Sequence, residues 1–98
     1  MSTLINQCFI VSSDVLFQEV SGEVVLLDLA SEEYFGLDKI GTRIWQSIHS
    51  GTELSEALDQ IVQDYNVSRS QLETDVERLL GQLIQAGLLT PEKTTGTE

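Results

Sequence analysis

The chain has 98 residues, which is enough for one hydrophobic core but not for two separate domains. Five Lys and Arg residues stand against 16 Asp and Glu residues, and the formal net charge is −11 at pH 7. This charge argues against binding to nucleic acid or anionic lipid, because affinity for nucleic acid comes largely from cationic side chains that neutralise phosphates. The same charge either attracts a cationic partner such as a basic peptide or serves solubility alone, and the sequence leaves both interpretations open.

No segment has the pattern of a membrane span or of an export signal. The longest apolar run, residues 24–27, is far too short to cross a bilayer, and the first residues lack the basic flank of a signal peptide. We therefore expect a cytoplasmic protein. Composition predicts one domain over residues 14–90, an N-terminal segment over residues 1–13 and a flexible C-terminal tail over residues 91–98.

The residues that usually carry metal or nucleophilic chemistry are scarce. Cys8 is the single cysteine and His49 the single histidine, so neither a disulfide nor a His/Cys metal site is expected. No nucleophile with an adjacent base and no glycine-rich phosphate loop is recognisable. The sequence therefore predicts no catalytic residue, no bound metal and no cofactor.

Three strand-like segments come first in the predicted domain. Residues 15–20 are rich in β-branched and aromatic side chains, and Gly22 can supply the turn that follows them. Residues 24–29 are nearly all apolar, which predicts a central strand covered on both faces. Residues 34–37 form a short third strand. The short links between these segments predict an antiparallel meander in which the third strand lies at an edge.

Three helices are predicted after the strands. Apolar residues recur at helical spacing in each of them, with Trp45 on the core face of the first and Tyr65 on that of the second. The predicted boundary residues are Asp38 and Gly51, Thr52 and Asn66, and Ser68 and Gly87; Ser68 and Gln71 have the spacing of a capping box. The predicted fold class is α+β, a three-stranded antiparallel sheet followed by three helices, as in a winged helix-turn-helix.

Several motifs occur together along the chain. They are residues 22–29 (Gly-Glu-Val-Val-Leu-Leu-Asp-Leu), 34–38 (Tyr-Phe-Gly-Leu-Asp), 40–45 (Ile-Gly-Thr-Arg-Ile-Trp) and 83–89 (Leu-Ile-Gln-Ala-Gly-Leu-Leu), with residues 64–67 and 75–76 in addition. In this combination the chain resembles the PqqD-like family over about residues 14–89. It departs from the family pattern at Glu32, where a turn glycine is common, and at Asp38, where asparagine is often found.

The resemblance implies a function without catalysis. Members of the family recognise the leader segment of ribosomally made precursor peptides, in pathways that include pyrroloquinoline quinone and lasso peptide antibiotics. They present the precursor to a separate enzyme, which is a leader peptidase in lasso-peptide pathways and a radical enzyme in the cofactor pathway. The sequence does not choose between these partners. The resemblance further implies that the leader adds a strand to the third strand and lies against the third helix.

The predicted third strand and third helix have features that suit such a site. An edge strand has unpaired N–H and C=O groups that an added peptide strand can satisfy. On the third helix, the flank with Leu72, Asp75, Leu79 and Gln82 is preferred over the flank with Glu73, Glu77 and Ile84 because it mixes apolar and polar groups. The expected peptide-binding residues are Glu33, Tyr34, Phe35, Gly36, Leu37, Leu72, Asp75, Val76, Leu79 and Gln82.

Structural interpretations of the same residues remain open. Leu37 is more typical of a core residue, Asp75 and Gln82 fit a solvated helix face equally well, and Arg78 has acidic neighbours with which it can pair. The main functional alternative is a winged-helix DNA regulator, which the negative charge of the third helix opposes. The protein is expected to be a monomer or a weak dimer, because a free edge strand can also pair with a second copy.

Overall fold

The computed structural model describes residues 4, 5 and 7–91 of the chain. The elements, in chain order, are β1 (Phe9–Val11), β2 (Val15–Val20), β3 (Glu23–Asp28), β4 (Glu33–Gly36), α1 (Lys39–Ser50), α2 (Leu54–Tyr65), α3 (Arg69–Gln85) and β5 (Leu89–Pro91). The predicted three-stranded sheet followed by three helices is confirmed. Residues 92–98, where most of the predicted tail lies, are outside the described residues, so the predicted domain limits stay predictions.

Strands β2, β3 and β4 form an antiparallel sheet in that order, with β3 in the centre. Burial alternates along β3, where Val24, Leu26 and Asp28 are buried and the residues between them are only half-buried. The prediction that this strand is covered on both faces is therefore wrong. The helices pack on one face only, here called the inner face, and the outer face keeps exposed apolar side chains such as Leu16.

Strands β1 and β5 form a second, two-stranded antiparallel sheet that sequence analysis did not predict. Phe9 pairs with Pro91 and Val11 with Leu89, and the Ser12 N–H donates to the Leu88 carbonyl at 3.0 Å. Three-residue strands carry almost no periodic signal, and their partners lie about 80 residues apart in the sequence. This pairing joins the N-terminal segment to the C-terminal end of the fold.

The core lies between the inner face of the sheet and the three helices. Trp45 of α1 is fully buried, as predicted, and the ring of Phe17 from β2 meets it edge-on with the centroids 5.9 Å apart. Ile44, Leu58 and Leu80 bring one fully buried side chain from each helix into the same core. Tyr65, predicted as a core residue of α2, is instead 38% exposed and lies beside the guanidinium of Arg43.

The helix ends follow the predicted signals with one exception. Asp38 accepts a hydrogen bond from the Gly41 N–H at 2.8 Å, and Gly51 ends α1 in the left-handed conformation. Thr52 was predicted to cap α2, but Glu53 is the N-cap residue and no side-chain hydrogen bond caps that helix. The reason is that Thr52 completes the end of α1, where its N–H donates to the Ser47 carbonyl at 2.9 Å.

Helix α3 begins where it was predicted to begin. The Ser68 hydroxyl accepts a hydrogen bond from the Gln71 N–H at 3.3 Å, which is half of a capping box. The Gln71 side chain does not complete the box, because its amide donates to Asp75 at 3.0 Å. This contact places Gln71 and Asp75 on the same exposed flank of the helix.

Candidate functional site

Strand β4 is an edge of the three-stranded sheet, and its outward backbone groups can be identified from the pairing. The Leu37 N–H donates to the Val24 carbonyl at 2.9 Å, and the register continues from there to Asp28 and Glu33. Hydrogen bonds alternate along an antiparallel ladder, so the N–H groups of Tyr34 and Gly36 point away from β3. Strand β4 therefore presents two outward donors to an incoming strand.

A groove of about 480 Å³ lies between the end of β4 and one flank of α3. Six of the residues predicted for the site line it: Gly36, Leu37, Leu72, Asp75, Val76 and Leu79. The fold thus brings together the predicted strand end and helix flank, which are more than 30 residues apart in the chain.

The floor of this groove is apolar and belongs to the core. Leu37, Leu72 and Val76 are at most 6% exposed, so they support the groove from below and offer little surface. The interpretation of Leu37 as a core residue is therefore confirmed. Ile40 and Leu79 are only half-buried, and they supply the accessible apolar surface of the groove.

Helix α1 contributes four groove residues that sequence analysis did not assign to the site: Ile40, Gly41, Ile44 and, at its N-cap, Asp38. In the structure a Cβ on Gly41 would lie 3.3 Å from the Asp38 carboxylate and 3.5 Å from Leu79, so the glycine lets α1 approach α3. A glycine within a helix was the available sequence signal for this part of the groove.

Four predicted residues lie outside the groove lining. Tyr34 is 72% exposed on the outer face of the sheet, while Phe35 on the opposite face packs against the core. Glu33 is exposed at the start of β4, and Gln82 is exposed on α3 beyond the end of the groove. Glu33, Tyr34 and Phe35 still belong to the open strand, whereas nothing in the structure connects Gln82 with the groove.

The other flank of α3 is occupied by the protein itself. The Ile5 N–H donates to the Glu77 carboxylate at 3.2 Å, which brings Ile5 onto this flank. Glu73 is held by an ion pair with Arg69 at 3.0 Å, and Ile84 packs against the core. Of the two flanks considered from the sequence, the one with Leu72, Asp75 and Leu79 is the one that faces the groove.

The rim of the groove carries charge of both signs. Asp38 and Asp75 are exposed carboxylates, and Arg78 lies 3.7 Å from Asp75 as a loose i,i+3 pair. An apolar floor with a few polar groups at the rim is the usual composition of a ligand-binding groove.

Features of other kinds of site are missing from the part of the chain that the structure describes. Residues 4, 5 and 7–91 contain no group of three or more His, Cys, Asp or Glu side chains placed to hold a metal ion. None of the helices in that part is long and apolar enough to cross a membrane.

A comparison with known protein families gives one decisive match. The family described as "Coenzyme PQQ synthesis protein D (PqqD)" matches residues 23–89, which is well over half of the chain. The chain belongs to the PqqD family. The matched region of this PqqD-family protein runs from the start of β3 through α3 to β5, and so contains β4 and the whole groove.

Two solved structures are similar to this PqqD-family protein. One is "TbiB1 in complex with the TbiA(beta) leader peptide", with 36% sequence identity, a TM-score of 0.76, and coverage of 86% of this chain and 98% of that one. The other is "Lasso peptide synthetase B1 complexed with the leader peptide", with 25% identity, a TM-score of 0.76, and coverage of 85% and 98%. The comparison with curated proteins found no match.

These findings argue against the alternative that the chain is a DNA-binding regulator. Arg69 of α3 is ion-paired with both Asp59 and Glu73, and Arg78 pairs with Asp75. The hydrogen bond from Arg69 to Asp59 raises the pKa of that guanidinium above its ordinary value, and both acidic partners compete with a phosphate for it. The described part of α3 therefore presents no unpaired cation to a phosphate backbone. With the family match, this argues that the chain is not a transcription regulator.

Proposed function

We propose that this PqqD-family protein binds the leader segment of a ribosomally made precursor peptide and presents it to a modifying enzyme or leader peptidase, in a lasso-peptide or related pathway. The leader adds as a strand to β4, and its inward side chains enter the groove against α3. The observation that carries the proposal is the combination of an open strand edge and an adjacent groove in a chain 36% identical to TbiB1, which was solved with a leader peptide.

Strand addition is supported by the arrangement of backbone groups. The outward N–H groups of Tyr34 and Gly36 are separated by one residue, which is the repeat needed to bond an extended peptide. Proline and charged side chains usually protect an edge strand from pairing; residues 34–37 contain neither, and the one charged residue of β4, Glu33, stands at the start of the strand. The edge is therefore open to an added strand.

Groove binding is supported by the way that a β-strand displays its side chains. Alternate residues of an added strand point to opposite faces, so every second leader residue points towards the inner face and α3. Ile40 and Leu79 offer these residues apolar contacts, and Asp38 and Asp75 offer acceptors at the rim. This arrangement gives affinity through the backbone and specificity through alternate side chains.

We propose that the protein acts without catalysis or a cofactor, as a monomer or weak dimer in the cytoplasm where precursor peptides are made. Its contribution is to hold one end of the precursor close to a separate enzyme, which raises the effective concentration of the cleavage or modification site. The negative net charge of −11 favours a leader or partner enzyme with a basic surface.

The proposal is tested by fluorescence anisotropy with a labelled synthetic leader peptide from the precursor encoded beside this gene. A scrambled peptide of the same composition separates sequence recognition from attraction by charge, and a labelled DNA duplex tests the regulator alternative. We expect saturable binding of the leader alone. Equal binding of the leader and the scrambled peptide would refute recognition, and binding of the duplex alone would contradict the proposed function altogether.

A further inference from the structure

No contact or backbone angle in the described part of the protein requires a glycine at position 36. Its φ angle is not positive, unlike those of Gly22, Gly51 and Gly87. The register of β3 and β4 passes through the Val25–Gly36 pair without a bulge, and the ladder continues to Leu37. A Cβ built on Gly36 would meet no atom within 4 Å.

A glycine in this position has a cost for the isolated chain. Glycine is disfavoured in strands because it loses more backbone entropy on folding and has no side chain to pack. When turns, bulges and internal contacts do not explain a strand glycine, the remaining general explanation is the close approach of a ligand or another backbone. The open space next to Gly36 therefore points to something outside the chain.

Gly36 and the two residues after it line two cavities. Gly36, Leu37 and Asp38 line the groove against α3, and they also line a second cavity of about 420 Å³ towards the β2–β3 turn. The second cavity, here called the notch, is completed by Val20, Glu23, Val24 and Val25. Because Gly36 pairs with Val25, a side chain on Gly36 would project to the outer face of the sheet, where the notch lies.

The register determines which part of an added strand would meet the notch. Residues directly opposite each other on neighbouring strands project to the same face. The leader residue opposite Gly36 would therefore project to the outer face, with Gly36 between it and Val25. A large side chain, and an aromatic ring above all, covers a glycine and its neighbour in this geometry.

The lining of the notch restricts the chemistry of that leader residue. Val20 is 53% exposed and Val25 is half-buried, so both offer apolar surface to a covering side chain. Glu23 and Asp38 are exposed acids at the margins of the same cavity, and like charges placed opposite each other in a sheet are destabilising. A large apolar side chain fits the notch, and an acidic one does not.

We propose that Gly36 is a specificity-determining residue whose missing side chain admits a large apolar, non-acidic side chain of the leader into the notch on the outer face of the sheet. The proposal rests on leader binding at β4. It adds a second specificity pocket, on the opposite face of the sheet from the groove against α3.

The test uses the full-length chain with Gly36→Ala and Gly36→Val, and the labelled leader peptide from the precursor encoded beside this gene. Gly81→Ala is the matched control, since a Cβ on Gly81 would also meet no atom within 4 Å, but this residue lies on α3 outside both cavities. We expect melting temperatures at or above that of the unmodified chain for all three variants. The dissociation constant should rise in the order Ala then Val at position 36, by about tenfold to a hundredfold for Val, and should not change for Gly81→Ala.

An alanine scan of the peptide then identifies the residue that occupies the notch. One large apolar leader residue should weaken binding to the unmodified chain when replaced by Ala, and should have a much smaller effect on binding to Gly36→Val. Unchanged affinity of a folded Gly36→Val, or a loss that is coupled to no single leader position, would overturn the notch while leaving the proposed function intact. A change in self-association with unchanged peptide affinity would assign the notch to a second copy instead. If the unmodified chain bound no leader, both proposals would fall together.

Discussion

Replacement of Tyr34 by proline tests how much one of the two outward backbone donors of β4, the Tyr34 N–H, contributes to leader binding. The Tyr34 N–H points away from β3, and the side chain is 72% exposed, so the substitution removes no ladder hydrogen bond and little packing. Proline is tolerated on an edge strand when its missing N–H faces solvent. The variant should therefore remain folded, with a melting temperature near that of the unmodified protein.

The matched control is Tyr34→Val, which loses the same aromatic ring but keeps the N–H. In the complex, proline leaves one leader carbonyl without its donor, and an unsatisfied, partly desolvated acceptor costs about 1–3 kcal/mol. The expected ratio of dissociation constants between Tyr34→Pro and Tyr34→Val is therefore roughly 5- to 150-fold. The difference in dissociation constant between Tyr34→Val and the unmodified chain measures the contribution of the aromatic ring to binding.

The assay is an anisotropy titration of each variant with the same labelled leader, supported by thermal melts. Phe35→Pro serves as the positive control for damage, because the Phe35 N–H faces β3 and its loss should lower stability as well as binding. Equal affinities of folded Tyr34→Pro and Tyr34→Val would show that no hydrogen bond is made to this N–H, and the reasoning on strand addition would be refuted.

Three further predictions concern stability and are checked by urea unfolding. Trp45→Ala should cost about 3–5 kcal/mol, because it empties a fully buried site against Phe17; a cost below about 1 kcal/mol would contradict its place in the core. Ser68→Ala should lower the free energy of unfolding by about 1 kcal/mol, because α3 loses its N-cap. Thr52→Ala should change it by less than about 0.5 kcal/mol, because Thr52 does not cap α2. A larger loss for Thr52→Ala than for Ser68→Ala would show that Thr52 is a cap after all. Asp28→Ala should lower the free energy of unfolding by about 1–3 kcal/mol, because the buried carboxylate accepts hydrogen bonds from Ala30 at 3.1 Å and Ser31 at 2.9 Å. The control Glu23→Ala should be nearly neutral, because Glu23 is exposed. Equal effects of the two substitutions would show that these hydrogen bonds do not hold the β3–β4 turn.

Local signals in the sequence were sufficient for most of the three-stranded sheet and the helices. Ser68, Asp38 and Gly51 act through neighbours within four residues, so their roles could be predicted from spacing alone. Thr52 could not, because two helix-end motifs overlap there and the end of α1 takes precedence. Strands β1 and β5 were missed for a different reason, since their pairing is entirely long-range.

The candidate site was predicted in part for similar reasons. The alternation of Tyr34, Phe35 and Gly36 follows from strand geometry, and the preferred flank of α3 follows from helical periodicity. The contribution of α1 to the groove depends on how closely two helices approach at Gly41, which no periodic pattern expresses. Gln82 was included because it continues the flank, but the groove ends before it.

The most direct test of strand addition is amide hydrogen exchange of β4, followed by NMR with and without a saturating leader peptide. In the free protein, the Phe35 N–H should already be protected by β3, and the Tyr34 and Gly36 N–H groups should exchange faster. If the leader adds to β4, exchange at Tyr34 and Gly36 should slow by about tenfold or more, and the alternating pattern along the strand should disappear. Saturated leader binding with unchanged exchange at these two amides would place the peptide elsewhere on the protein and contradict the proposed mechanism.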